Sequence, residues 1–155
     1  IKGRILSFFD RETGTHNFQS DKAIDSITSG GFFGKGIGEG ILKNRVPEAH
    51  TDYIISVISE EFGVVAIMLI LLLFLIFIYM VFKKISFETD DKIKLILIGS
   101  ISLILMQATI HIGVNIRLFP TTGMTLPFLS YGGSSIISTS ILAGIILNLT
   151  KRKIN

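Results

Sequence analysis

The sequence predicts an all-α integral membrane protein, with three transmembrane helices preceded by an extracytoplasmic loop segment. Nearly half of the 155 residues are hydrophobic (48%) and the mean hydropathy is +0.61, which is too apolar for an ordinary soluble domain. The apolar residues are concentrated in long blocks, and lysines cluster between two of these blocks. We expect each block to be helical, because no backbone group can stay unpaired in lipid.

The rest of the composition excludes two possibilities. The chain contains no cysteine, so disulfides cannot stabilise it. Its net charge is +3, and the basic residues are scattered rather than interleaved with aromatic residues in a stripe, so we expect no nucleic-acid partner. The sequence begins with Ile1 and has no signal-peptide pattern, so we expect a piece of a longer protein or a shortened gene product.

The three predicted spans differ in composition. Residues 62–82 (FGVVAIMLILLLFLIFIYMVF) carry no charge and, at roughly 1.5 Å per residue, extend about 31 Å, which is enough for a hydrocarbon core. Residues 95–116 form a second span that polar groups interrupt, and residues 124–149 form a third that is rich in small residues. The chain therefore divides into a loop segment (1–61) and a three-span region (62–155).

Lysine and arginine predict the orientation of these spans. The loop after the first span contains Lys83, Lys84, Lys92 and Lys94, and the tail contains three more basic residues, whereas residues 116–123 contain only Arg117. Cytoplasmic loops carry the excess of basic residues. We therefore expect the first loop and the C-terminal tail in the cytoplasm, and residues 1–61 and 116–123 outside.

The loop segment contains a glycine-rich stretch, SGGFFGKGIGEG, at residues 29–40. Alternate glycines permit positive φ and close backbone approach, which suits either a flexible turn or a loop around an anion. The spacing matches no phosphate-binding motif and no strand precedes it, which favours the turn. Lys35, Lys43 and Arg45 nearby support the anion interpretation.

A second group of polar residues, VPEAHTD, lies just before the first span. Thr51 is a candidate N-cap for a helix whose first turn holds Asp52, where the helix dipole favours a carboxylate. Asp52 is also a candidate general base at the membrane surface. Glu48, His50 and Asp52 could together bind a metal ion, although their spacing is not typical of a zinc site.

Polar residues also occur inside the second and third spans. Gln107, His111 and Asn115 recur every four residues and so share one face of a helix. Such a stripe serves either interhelical hydrogen bonding or a substrate pathway. Ser130 and Ser134 lie in a small-residue stretch that favours close helix packing. The alternative is an intramembrane serine hydrolase in which His111 activates one of these serines.

Two long stretches resemble one family. SGGFFGKGIGEG followed by VPEAHTDYIISVISEEFG, and IHIGVNIRLFPTTGMTLPFLSYGGSSII, closely resemble the C-terminal half of the SEDS family, which includes FtsW and RodA. The resemblance extends from about Ile5 to the end of the chain. The GEG triplet and TGMTLPFLSYGGSS favour the FtsW members, which act in cell division, over the cell-shape members.

The resemblance implies a membrane glycosyltransferase that polymerises lipid II into glycan strands at the outer face of the bacterial inner membrane. The three spans would be the last three of the family. The essential acid would be Asp52, as general base. Basic groups or a divalent cation would stabilise the diphosphate leaving group. The residues that we expect to contact substrate are Lys43, Arg45, Glu48, His50, Gln107, His111, Asn115, Ser130 and Ser134.

The resemblance also implies partners, namely lipid II, a class B penicillin-binding transpeptidase, other division or elongation proteins, and membrane lipids. The sequence departs from the family pattern mildly at DYIISVIS, where DFIFAVIG is commoner, and at two further positions. Thr122 stands where many division members carry lysine, and Arg117 stands where small residues are usual. The alternatives to a polymerase are a lipid II flippase and an inactive remnant or accessory membrane subunit.

Overall fold

A computed structural model describes residues 15–41, 45 and 49–151, and four long helices are defined within the described residues. Helix α1 is Thr15–Gly30, α2 is Ile54–Phe87, α3 is Asp91–Asn115 and α4 is Gly133–Thr150. Among the described residues, α2, α3 and α4 are long and apolar enough to cross a membrane. The prediction of an all-helical membrane protein with three spans is therefore confirmed, and the segment before the first span contains an additional helix, α1.

Each helix packs mainly against the helix next to it in the sequence. Helix α1 lies mainly against α2, while α3 contacts both α2 and α4. Most of the apolar side chains of α2 remain exposed, as expected for a helix that faces lipid or other membrane helices. The buried hydrophobic residues form three clusters. One lies beside α1, and one joins Ile55, Ala108 and Leu126. The third lies between α2, α3 and α4, and its fully buried members include Leu97, Ile101, Ile104 and Ile146.

Helix α2 is interrupted at Gly63, whose backbone is not helical (φ 78°, ψ −178°). This interruption frees carbonyls before it and amides after it, and the glycine-rich stretch bonds to both. The amides of Lys35 and Gly36 donate to the carbonyls of Glu60 (2.9 Å) and Glu61 (3.1 Å). In return, the amide of Val64 donates to the carbonyl of Gly31 at 3.0 Å. The break thus leaves these backbone groups satisfied.

Glycine is required where these two segments approach each other. A Cβ atom at Gly34 would overlap the backbone of Glu61, and one at Gly63 would overlap the carbonyl of Phe32. The amides of Lys35 and Gly36 that an anion loop would offer already donate to α2. Residues 30–36 are therefore a docked segment, and the structure supports neither the flexible turn nor the anion loop there.

Helix α4 begins at Gly133, later than the predicted start of the third span at residue 124. Pro127 has no amide hydrogen to donate, and Phe128 has a left-handed backbone (φ 67°) that α-helix does not accommodate. The segment 124–132 instead forms a turn that packs against α3 and the start of α2. This turn brings the third span to the candidate site.

Candidate functional site

Asp52 lies in the turn immediately before α2 and is 8% exposed. The helix begins at Ile54, and its N-cap is Tyr53, which makes no side-chain capping bond. The prediction that Thr51 caps a helix containing Asp52 is therefore wrong. His50 is exposed, whereas Lys43 and Glu48 lie outside the described residues.

The turn that carries Asp52 is held by three successive backbone carbonyls. The His50 carbonyl accepts a hydrogen bond from the Tyr131 amide at 3.1 Å. The Thr51 carbonyl accepts one from Ser130 Oγ at 2.9 Å, and the Asp52 carbonyl accepts one from Asn115 Nδ2 at 2.9 Å. The donors come from the end of α3 and from the turn before α4, so both later spans fix the position of Asp52.

Asn115 is fully buried and uses its whole side-chain hydrogen-bonding capacity in this arrangement. Its Nδ2 donates to the carbonyls of Asp52 and His111, both at 2.9 Å. Its Oδ1 accepts from the amide of Ser56 at 3.2 Å and from Ser56 Oγ at 2.8 Å. Two donor hydrogens and two acceptor positions are thereby satisfied, which is the requirement for burying an amide.

The carboxylate of Asp52 faces the loop after α3. Gly123 has a left-handed backbone (φ 74°), and a Cβ atom there would lie 4.0 Å from Asp52 Oδ2. Thr122 beside it is exposed. The Asp52 carboxylate therefore lies beside the loop that contains Thr122 and Gly123.

The other two residues of the polar stripe bond to the turn before α4. Gln107 Nε2 donates to the carbonyl of Thr125 (3.0 Å) and to Ser135 Oγ (3.0 Å). His111 Nδ1 lies 2.8 Å from the Met124 carbonyl, and because a carbonyl can only accept, Nδ1 carries the proton. His111 Nε2 is buried without a partner in the described part of the chain. The shared face is confirmed, and its hydrogen bonds support the interhelical interpretation.

The two candidate serines have different surroundings. Ser130 is buried, and its Oγ accepts from the Leu126 amide at 2.8 Å and donates to Thr51. Ser134 is exposed on α4. Since His111 Nδ1 bonds to the Met124 carbonyl and neither Ser130 nor Ser134 bonds to the imidazole, His111 activates neither candidate serine in the described structure. The hydrolase interpretation is not supported.

Arg45 lines a cavity of about 160 Å³ between α1 and the break in α2. Lys22 and Lys35 lie in the same cavity, but each pairs with a carboxylate, Lys22 with Asp25 at 3.3 Å and Lys35 with Glu60 at 3.1 Å. No group of three His, Asp or Glu side chains suited to a metal occurs among the described residues, and Glu48 lies outside them. Metal binding therefore stays a prediction.

Sequence reasoning missed Ser56 and Gly123. Ser56 bonds to Asn115 across 59 positions of the sequence, and nothing in the local pattern indicates this pairing. Gly123 could have been singled out, because a lone glycine between two predicted elements often has a positive φ that places it close to another group. Arg117, noted as unusual, pairs with Asp21 and so ties the loop after α3 to α1.

A family model described as cell cycle protein, which covers FtsW, RodA and SpoVE, matches residues 2–155. Several curated relatives carry the name probable peptidoglycan glycosyltransferase FtsW. The protein from Enterococcus hirae is 37% identical over 94% of this chain, that from Caulobacter vibrioides is 36% identical over 99%, and that from Trichlorobacter lovleyi is 41% identical over 95%. Each match covers 39% of the relative, so the chain spans about two fifths of their length.

The fold is also similar to a chain in a solved structure of a peptidoglycan synthase complex that coordinates polymerization and crosslinking. The TM-score is 0.76 and the sequence identity is 27%. The match covers 99% of this chain and 42% of that one.

Proposed function

Because the chain belongs to the FtsW, RodA and SpoVE family of cell cycle proteins, we propose that it is the C-terminal part of a lipid II polymerase in which Asp52 is the general base. The observation that carries this proposal is the placement of Asp52. Its turn is fixed by three carbonyl hydrogen bonds, and its carboxylate faces the loop at Gly123. The names of the relatives favour a role in cell division.

The proposed chemistry joins the acceptor sugar to the donor. The acceptor hydroxyl attacks the anomeric carbon of the donor glycan, the bond to the polyprenyl diphosphate breaks, and the hydroxyl proton passes to the Asp52 carboxylate. A carboxylate is too weak a base to ionise a sugar hydroxyl beforehand, but it can accept the proton as the new bond forms. General-base assistance of this kind is typically worth about 10²–10⁴ in rate.

An apolar cavity offers a place for the lipid tail. It has a volume of about 220 Å³ and runs along α2 from Ile55 to Phe74, with Ile112 and Leu126 on the opposite side. Ile55 lies less than one helical turn after Asp52, so a tail in this cavity would keep the sugars close to the carboxylate. An apolar cavity whose lining begins at Ile55, close to Asp52 in the chain, suits an amphiphilic substrate.

We assign stabilisation of the departing diphosphate to Arg45. Among the described residues, the two lysines of its cavity pair with carboxylates, which favours the guanidinium as the group that a diphosphate would engage there. Guanidinium groups bind phosphate oxygens through paired hydrogen bonds. Lys43, which lies outside the described residues, is a second candidate.

A transport role is less well supported. A lipid II flippase would need polar groups along the second span that are available to the moving headgroup. The side chains of Gln107 and Asn115 are instead engaged with Thr125, Ser135, Asp52 and Ser56. The resemblance to a synthase complex supports a transpeptidase partner of the penicillin-binding type for the complete protein.

Polymerisation of lipid II by a reconstituted assembly tests the proposal. We expect the 155-residue chain alone to make no glycan, because the rest of the family's length is needed to enclose the substrate, and we expect co-expression with the preceding spans of a relative to restore activity. Translocation of lipid II by that assembly without glycan formation would favour the flippase. Robust polymerisation by this chain alone would show that the preceding spans are dispensable.

The proposed orientation makes a separate prediction. The chain has no cysteine, so a single Ser86→Cys or Thr122→Cys substitution gives a unique thiol, and both positions are exposed. In intact cells, a membrane-impermeant maleimide should label Cys at position 122 and not at position 86, because residue 86 adjoins the lysine-rich loop. The loop at residue 122 lies on the same side as the Asp52 carboxylate, so the reverse labelling pattern would place Asp52 in the cytoplasm and exclude its proposed role.

A further inference from the structure

Asn115 separates two groups at the start of α2 that would bond to each other in a regular helix. There, the amide of Ser56 would donate to the carbonyl of Asp52, four residues earlier. Instead the Ser56 amide donates to Asn115 Oδ1 (3.2 Å), and Asn115 Nδ2 donates to the Asp52 carbonyl (2.9 Å). The side-chain amide takes the place of one helical hydrogen bond and keeps Asp52 outside the helix.

Asn115 is itself held rigidly. It is the last residue of α3 and is fully buried. The second hydrogen atom on Nδ2 is donated to the His111 carbonyl, one turn earlier in the same helix. The Ser56 hydroxyl adds a bond of 2.8 Å to Oδ1, which fixes the plane of the amide. The side-chain amide therefore fixes the Asp52 turn relative to α3.

Ser130 fixes the carbonyl of Thr51, the residue before Asp52, by a hydrogen bond from its side chain. Its Oγ accepts from the Leu126 amide (2.8 Å) and donates to the Thr51 carbonyl (2.9 Å), so it links the turn before α4 to the Asp52 turn. The peptide groups on both sides of the Asp52 Cα are then fixed. The direction of the Asp52 Cα–Cβ bond follows, because the backbone sets where Cβ points.

We infer that Asn115 is a positioning residue for Asp52, assisted by Ser130, and that together they hold the carboxylate against the loop at Gly123. The inference rests on the proposed function, in which Asp52 is the base. Without the Asn115 amide, the Ser56 N–H is free to bond directly to the Asp52 carbonyl. Helix α2 would then start earlier, and the carboxylate would turn away from Gly123.

Glycan formation from lipid II, in an assembly that is active with the wild-type chain, tests this inference. Asn115→Leu keeps the approximate volume and removes all four hydrogen bonds. We expect kcat to fall about 10- to 100-fold with little change in KM, because a displacement of about 1 Å of a reacting group costs up to about 10²-fold. Ser130→Ala should lower kcat in the same direction, and Ser130→Thr, which keeps the hydroxyl, should restore it.

Ser100→Ala is the matched control. Ser100 is also buried on α3 but lies roughly 22 Å along the helix from Asn115, at 1.5 Å per residue, and should leave kcat unchanged. All variants are compared at equal amounts of folded protein. Wild-type kcat in Asn115→Leu would overturn the inference, as would a loss in Ser130→Ala that Ser130→Thr does not recover.

A second measurement needs no activity. Asp52→Cys creates a unique thiol in this cysteine-free chain, at a site that is 8% exposed in the wild type, so its reaction with a small maleimide should be slow. Adding Asn115→Leu should raise the labelling rate at least about threefold, while adding Ser100→Ala should not. An unchanged or slower rate would overturn the positioning role. An assembly that makes no glycan in any form would instead refute the proposed function and leave this measurement standing.

Discussion

Replacing Asp52 with asparagine should lower the rate of glycan formation by roughly 10²-fold or more. The substitution keeps the size of the side chain and removes the base. The backbone of the turn should stay in place, because the carbonyls of His50, Thr51 and Asp52 keep their donors from Tyr131, Ser130 and Asn115. The measurement is turnover of lipid II at matched levels of folded protein.

A purely structural role for Asp52 leads to a different result. If the carboxylate only stabilises the start of α2, its neutralisation should cost a few tenths to about 1 kcal/mol of unfolding free energy, with little change in activity per folded molecule. Glu39→Gln, which neutralises an exposed acid in the glycine-rich stretch, controls for loss of charge. Near-normal turnover in Asp52→Asn would contradict the general-base assignment and favour transport or scaffolding.

Ser134→Ala separates the polymerase from the hydrolase hypothesis. A serine hydrolase with Ser134 as nucleophile would lose its activity on this substitution. A glycosyltransferase should lose much less, because Ser134 is exposed on α4 and it is the backbone carbonyl of Ser134 that accepts the hydrogen bond from Ser138 Oγ, which alanine preserves. Loss of glycan formation in Ser134→Ala that equals the loss in Asp52→Asn would require a new account of the site.

The spans were predictable because lipid imposes a simple requirement. A charge-free run such as residues 62–82 can cross a membrane only as a helix, and α2 does contain this run. The details at the helix ends were not predictable in the same way. The turn before α4 bonds to Thr51 through Ser130, and at the start of α2 the Ser56 amide bonds to Asn115. Both are decided by contacts between distant parts of the chain.

The site was predictable only in part, for a similar reason. The four-residue spacing placed Gln107, His111 and Asn115 on one face, since that periodicity follows from helix geometry. Their partners could not be inferred, because Asn115 bonds to a carbonyl 63 positions away and Gln107 to one 18 positions away. The sequence thus identified which polar groups enter the membrane region, and tertiary packing decided what they bind.

The break in α2 was also missed, since Gly63 is the second residue of the predicted span 62–82 and glycine is common in transmembrane helices. Gly63→Ala should lower the free energy of unfolding by about 3 kcal/mol or more. A φ of 78° with a ψ of −178° is a conformation essentially restricted to glycine, and forcing another residue into it costs on the order of 1–3 kcal/mol. The added Cβ would also overlap the Phe32 carbonyl, so the glycine-rich stretch would have to move away from α2.

Gly99→Ala is the matched control, and the free energy of unfolding of both variants is measured by reversible unfolding in detergent micelles. Gly99 lies in the interior of α3, with helical backbone and no neighbouring group within 4 Å of the position that a methyl group would take, so alanine should be neutral or stabilising by up to about 1 kcal/mol. Because the docked stretch takes up the carbonyls of Glu60 and Glu61, its release in Gly63→Ala should speed hydrogen exchange at the amides of Lys35 and Gly36. Wild-type stability together with wild-type exchange at these two amides would show that the break in α2 does not depend on glycine.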